Sequence, residues 1–426
     1  MKAFAPPYRI DLAALTQQSS VLLMATRRSF MFYAVMLGIL TMMMPMGTDI
    51  FLASMPAFAR GYGMPVSAAE LTLAAFFAGN AFGQIFWGPL SDRFGRKPII
   101  VIAVAAYFLA AMAIALSDNF TLVVILRVVQ GAAASSGRIL ANAVSRDLYD
   151  RDKLAQLISF IMATGAISAI VTGPLGGFIA DHFDWQAAFI VPAVYALVSL
   201  LVFVFYYDET IVERNPLAIR PLPMLTSIGE IARNRVFVAY VLTSGCAMVG
   251  LSAFLNSGPG LLIGIYGVAP GTFGILYAML PVGFMAGSIL SARYGGRWQS
   301  DTFLIIGTTS MTLAGLAMLS FAIFGLPDPR AMVLPMIPYL FGFACIIPQC
   351  ASGALTPFGR MAGTASSLQG FTQSMMGAAV SVILALSANG TLYPMGIAIA
   401  TSGIASIASY IILVRRMHRP SAVKSV

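Results

Sequence analysis

Three ionisable side chains stand inside long apolar stretches of this chain: Asp49 in the stretch 30–55, and Arg127 and Arg138 in the stretch 120–144. A charged group in hydrocarbon costs about 2.5 to 3.5 kcal/mol on insertion scales, so each is expected to line a cavity or pair with another charge. Asp49 comes seven residues before Pro56, and Arg127 seven residues after Phe120. At about 1.5 Å rise per residue, both would lie about 10 Å below the same membrane boundary, where opposite charges can meet. Gln130, one turn after Arg127, can hydrogen-bond either group. Burial favours the neutral acid and a nearby guanidinium favours the carboxylate, so movements of Arg127, Gln130 or a bound molecule would load or empty a proton at Asp49. Pro45 removes a backbone hydrogen bond and Gly47 weakens the same helix, which allows bending beside the acid. The competing reading is a static ion pair.

Arg138 follows Arg127 by eleven residues, three helical turns, so the two share a face. Such a stripe would either guide an electronegative molecule inward or clamp one end of its helix. Two arginines against one aspartate suit neutral, zwitterionic or weakly anionic amphiphiles better than dications. Beyond residue 236 the apolar stretches hold no deep acid or base, only Asn256, Gln349, Gln369 and Gln373 with aromatic walls from Tyr240, Phe254, Tyr339 and Phe343. Arg138, Phe51, Asn256, Tyr240 and Tyr339 are therefore the candidate cavity contacts, and the 25 methionines fit an adaptable lining.

The elements that must position these groups are transmembrane helices. Of 426 residues, 59% are hydrophobic and only 10% charged, against about a quarter charged in soluble proteins. Apolar stretches fall at 30–55, 68–90, 98–116, 120–144, 154–179, 185–207, 236–260, 272–291, 303–324, 331–354, 362–386 and 392–414, each able to cross about 30 Å of hydrocarbon. We number them spans 1 to 12. The expectation is an all-α membrane protein with an N-terminal tail (1–29), a six-helix bundle (30–207), a polar linker (208–235), a second six-helix bundle (236–414) and a C-terminal tail (415–426). Among the 25 basic residues, all but Arg60, Arg330, Arg127 and Arg138 fall on one side of this array, which places both termini in the cytoplasm. The same scatter argues against a nucleic-acid surface. Cys246, Cys345 and Cys350 read as small core residues, and His182 and His418 lie outside the spans, so no metal site, cofactor or enzymatic triad is expected. No Gly-rich phosphate loop suggests ATP hydrolysis. Leu90–Lys97 after span 2 is echoed two hundred residues later by Leu290–Arg297 after span 8, an internal repeat of the kind found in parallel-repeat transporters.

The loop Gly88-Pro89-Leu90-Ser91-Asp92-Arg93-Phe94-Gly95-Arg96-Lys97-Pro98 resembles motif A of the major facilitator superfamily. Thr48-Asp49-Ile50 with Pro56 is similar to the acidic span-1 signature of its drug:proton antiporters, Arg127-Val128-Val129-Gln130-Gly131 to motif B, and Gly165 with Gly173-Pro174-Leu175-Gly176-Gly177 to motif C. With Arg146-Asp147-Leu148-Tyr149-Asp150 the set resembles the Bcr/CflA drug-resistance subfamily, over nearly the whole chain and most closely in spans 1 to 5. Some relatives place a second acid two turns before the span-1 aspartate, where this chain has Thr41. The resemblance implies proton-driven export of small amphiphilic drugs, such as chloramphenicol-, florfenicol- or bicyclomycin-like antibiotics, by alternating access in a bacterial inner membrane. It implies a monomer that needs no cofactor. Proton-coupled movement of a nutrient or metabolite by the same fold is the alternative. Asp49, Arg127 and Gln130 would couple the proton. Gly88, Asp92, Arg93, Gly95 and Arg96 would govern conformation, with Asp92 meeting the N-terminal dipole of span 11. Gly165, Gly173, Gly176 and Gly177 would let span 8 or its neighbours approach closely, and Pro174 would bend the helix there.

Overall fold

The computed structural model describes residues 28–211, 214–216, 218–219, 221–295, 297–325 and 328–415. Lys2, Arg9, Arg27, Glu213, Arg220, Gly296, Arg416, His418, Arg419 and Lys424 lie outside them, and with them parts of the expected tails, linker and repeat. All regular structure among the described residues is helical.

Span 1 is a broken helix, Phe30–Thr41 and Met43–Gly61, with a 42° bend at Met42. Pro45 has no N–H to donate to the carbonyl of Thr41, four residues earlier, and the break falls where that bond is missing. Spans 2 to 6 are Val66–Phe94, Arg96–Ala115, Phe120–Leu148, Arg151–His182 and Ala187–Tyr206. Span 7 runs Arg235–Pro259 and continues as a wide turn, Gly260–Ile265. Span 8 is split into Pro270–Ala278 and Leu280–Tyr294, just before Pro281. Span 9 is Ser300–Ile323, span 10 is Arg330–Val333 with Met336–Leu355, span 11 is Ala362–Ser387, and span 12 is Tyr393–Ser409 extended by Tyr410–Val414. Helix starts follow local chemistry: the Asn119 side chain accepts from Leu122 N–H, and that of Asn234 from Val236 and Phe237 N–H, satisfying otherwise free amides.

These twelve spans form two six-helix halves. Spans 2 and 11 and spans 5 and 8 pack along the seam between halves, and span 7 with its wide turn touches spans 1 and 2. The segment between the halves is not purely a linker. It contains an amphipathic helix, Pro221–Arg233, that buries Ile231 and leaves Glu230 and Arg233 exposed. Counting charge alone hid this helix, whose signal is the three-residue spacing of Leu225, Ile228 and Ile231.

At the ends that carry the basic loops, Arg96 joins three elements. Its guanidinium contacts Asp92 at 2.6 Å and Ser91 at 2.5 Å at the end of span 2, and Asp147 at 2.7 Å at the end of span 4. Glu209, 113 residues after Arg96, accepts the backbone N–H of Arg96 at 2.9 Å and of Lys97 at 3.2 Å, capping span 3. Gly95 makes the turn possible, with φ of 106°, a value that a side chain would oppose. Asn215 N–H then donates to the Asp92 carbonyl, tying the return segment to the same loop.

Candidate functional site

Asp49 lies in the second helix of span 1 and is buried. Its Oδ1 accepts from the Thr48 hydroxyl at 2.8 Å, and its Oδ2 from the Thr172 hydroxyl of span 5 at 2.9 Å. The hydroxyl of Tyr277, from span 8 in the other half, also reaches this carboxyl. Three hydroxyls on three spans thus surround the acid.

The expected ion pair with Arg127 is not formed. No salt bridge joins the two among the described residues. Arg127 does reach span 1 at the expected depth, but it meets the Gly47 carbonyl at 2.9 Å. Two residues of helix rotate the side-chain direction by about 200°. With Gly47 turned toward Phe76 of span 2 and Tyr107 of span 3, Asp49 faces spans 5 and 8 instead. Arg127 is fully buried, its guanidinium carbon 4.2 Å from the ring centre of Phe51, 4.8 Å from Phe189 and 5.5 Å from Phe76. Desolvated cation–π contacts of this kind are worth about 2 kcal/mol or more. The same guanidinium donates to Gln130 Oε1 at 3.0 Å, and the Gln130 side chain neighbours the Tyr107 hydroxyl. Gly47 permits the crowding, since a side chain there would collide with Tyr107 and Phe76.

Arg138 has a different setting. Its side chain is exposed as a whole, while its Nη2 lies beside Gly370 of span 11 in the other half. It donates to Gln84 Oε1 at 2.6 Å, while Gln84 Nε2 donates to Ser374 of span 11 at 2.9 Å and to Asn80 at 2.8 Å. A polar chain therefore crosses from span 4 through span 2 to span 11. The other candidate cavity residues are buried. Phe51 is buried beneath Arg127, and Tyr240 is buried against Gly353. Tyr339 donates to the Ala247 carbonyl at 2.8 Å, and Asn256 donates to the Ser381 carbonyl at 3.1 Å. Each fastens neighbouring helices together. Residue type indicated an aromatic or amide group but carried no information about which face it occupied.

The glycines of span 5 lie on span 8 and span 1. Gly173 abuts Tyr277 and the Gly274 carbonyl, Gly177 abuts Pro270 and Gly271, and Gly176 abuts the backbone of Asp49 and Ile50. Pro174 sits between them, its Cα against Gly274. Gly165 faces open space, so close packing does not explain it. In the loop after span 2, the Asp92 carboxylate turns back onto Arg96, where the expectation was the start of span 11. Arg93 lies over the Phe94 ring at 5.2 Å, and Gly88 has only Ile139 near it.

Besides Tyr277 and Gln84, two groups here were missed in the sequence. Thr172 is one, and its position one residue before the Gly173-Pro174 pair was the available signal. Glu70 is the other, a buried acid only five residues into span 2, which its nearness to a loop disguised.

The family model described as Major Facilitator Superfamily matches residues 37–382. A bicyclomycin resistance protein homolog of Haemophilus influenzae is 29% identical over 393 residues, covering 92% of this chain and 98% of that protein. Multidrug resistance protein D of Escherichia coli is 26% identical, covering 90% and 95%, and a chloramphenicol resistance protein of Pseudomonas aeruginosa is 26% identical, covering 82% and 83%. Among solved structures, the partially occluded inward-open xylose transporter XylE from E. coli superposes with a TM-score of 0.71 at 16% identity, covering 92% of this chain and 98% of that one.

Proposed function

The chain belongs to the major facilitator superfamily, as a multi-pass membrane transporter rather than an enzyme, and from that premise we propose that it exports small amphiphilic drugs in exchange for protons. The relatives named for resistance to bicyclomycin, chloramphenicol and multiple drugs support the cargo class. The basic residues support an orientation with both termini in the cytoplasm of a bacterium, so that spans 5 and 8 meet at the outer side.

The observation that carries the reading is Asp49 ringed by hydroxyls, one of them Tyr277 from the opposite half. A carboxyl so placed is shielded from the outside while the outer seam is closed. Opening that seam would withdraw Tyr277 and change the donors around the acid, so the proton affinity of Asp49 follows the conformation. Arg127 acts on the same helix from its other side. Its bond to the Gly47 carbonyl braces the bent part of span 1, and a rotation of that helix would exchange Gly47 for Asp49 as its partner. Arg138, exposed and cationic, is the group that would meet an electronegative part of the cargo, and neutral or weakly anionic amphiphiles suit it best. No resident cofactor is needed in this scheme, since the proton gradient supplies the energy.

The test is uptake of a chloramphenicol-type drug into everted vesicles with an imposed pH gradient. Asp49→Asn should abolish uphill movement while leaving downhill exchange measurable. Uphill transport at the wild-type level in Asp49→Asn would refute the assignment.

A further inference from the structure

Glu70 is unused by this scheme, and its surroundings are unusual for an acid. It is 4% exposed, one turn into span 2 on the side where spans 5 and 8 meet. Its Oε2 has no hydrogen-bond partner among the described residues. Its other oxygen faces span 7: a side chain on Gly260 would lie 3.6 Å from Oε1, and the Ser257 hydroxyl also reaches the carboxyl. The acid is therefore enclosed by a contact between the two halves.

Neighbouring elements bring no cation to it. Span 7 and its wide turn have no charged residue between Arg235 and Ile265, and span 11 has none from Ala362 to Ser387. In span 1, Arg60 is exposed at the helix end, and Asp49 is engaged by Thr48 and Thr172. In span 4, the Arg127 guanidinium is held among Phe51, Phe76 and Phe189 and bonded to Gly47, and Arg138 is bonded to Gln84. Tyr107 of span 3 faces Gly47. No salt bridge among the described residues includes Glu70. A carboxylate enclosed without a cation, and with one oxygen unsatisfied, carries a desolvation cost that the neutral acid avoids.

We propose that Glu70 is a second proton-binding site, which takes up one proton from outside water when spans 2 and 7 close over it and returns that proton when they part. The balance is simple: the open seam exposes a hydrated carboxylate, closure converts it to the carboxylic acid, and opening releases the same proton. The proposal rests on the reading that transport is proton-driven, but it does not require Asp49 to be the carrier. The cycle then handles a proton at each of two sites, one on the seam and one beneath it.

The experiment places spin labels at exposed Met64 and Ala269, on either side of the seam, in purified full-length protein with Cys246→Ala. Distances are measured from mildly acid to mildly alkaline buffer. In wild type, the close population should grow as pH falls. Glu70→Gln mimics the protonated acid and should favour the close population with a much smaller response to pH than wild type, what remains being the share of Asp49, while Glu70→Asp keeps the full response and controls for misfolding. Asp49→Asn should retain the response, which separates this proposal from the role given to Asp49. A Glu70→Gln variant that responds to pH as wild type does would overturn the proposal, as would a response lost in Asp49→Asn or a wild type that shows none.

Discussion

Gly177 offers the sharpest handle on the outer seam. Replacing it by Ala would set the new methyl group 2.6 Å from the Pro270 carbonyl oxygen and 2.9 Å from Gly271 Cα. Both are backbone atoms, so no rotamer change can clear the overlap, and the spans must separate by a few tenths of an ångström. Overpacking of this kind costs about 1 to 3 kcal/mol. The cost falls on the closed state alone, because opening removes span 8 from the contact. The open population should then rise by about 5- to 150-fold. The assay is the rate at which a membrane-impermeant maleimide labels Ser257→Cys, a buried position on the seam, in the Cys246→Ala background. Gly165→Ala is the matched control, since nothing lies within 4 Å of a methyl group there. Equal labelling rates in the Gly177 and Gly165 variants would show that span 5 does not hold the seam through this contact.

Arg127→Lys keeps a charge but loses the planar fork that serves the Gly47 carbonyl and Gln130 together, and it weakens the stacking on Phe51 and Phe189; drug efflux should fall at least about tenfold, measured in vesicles. Arg96→Ala removes the shared partner of Asp92 and Asp147, and should lower unfolding stability by up to about 3 kcal/mol, the partly exposed acids limiting the loss, as followed by thermal melting in detergent. Pro45→Ala returns an N–H that can bond the Thr41 carbonyl; the 42° break should straighten, seen as a longer distance between labels at the ends of span 1, and the transport rate should fall.

Helix positions were legible because hydrocarbon demands long apolar stretches, and the bend beside Pro45 was legible because a missing donor has a local effect. Depth along a helix was readable too, which is why Arg127 was expected near span 1. Direction around the helix was not: Gly47 and Asp49 are two residues apart and nearly opposite in azimuth. The partners of Asp49 come from Thr172 and Tyr277, 123 and more than 200 residues away, and only packing brings them there. Asp92 was expected at the start of span 11 because a helix N-terminus attracts an acid; Arg96, on the next turn and flanked by Asp147, competes more strongly. Asn256, Tyr240 and Tyr339 were open to two readings by type alone, and their bonds to backbone carbonyls or tight packing decide for helix cohesion.

The Glu209 cap on span 3 has a bearing on biogenesis. A ribosome delivers span 3 long before residue 209, so the amides of Arg96 and Lys97 must wait through three further membrane insertions for their acceptor. The leading bundle can therefore finish its inner rim only when the chain that follows span 6 has emerged, and a split transporter expressed as two fragments should reassemble when severed after Asn215 but not when severed before Glu209.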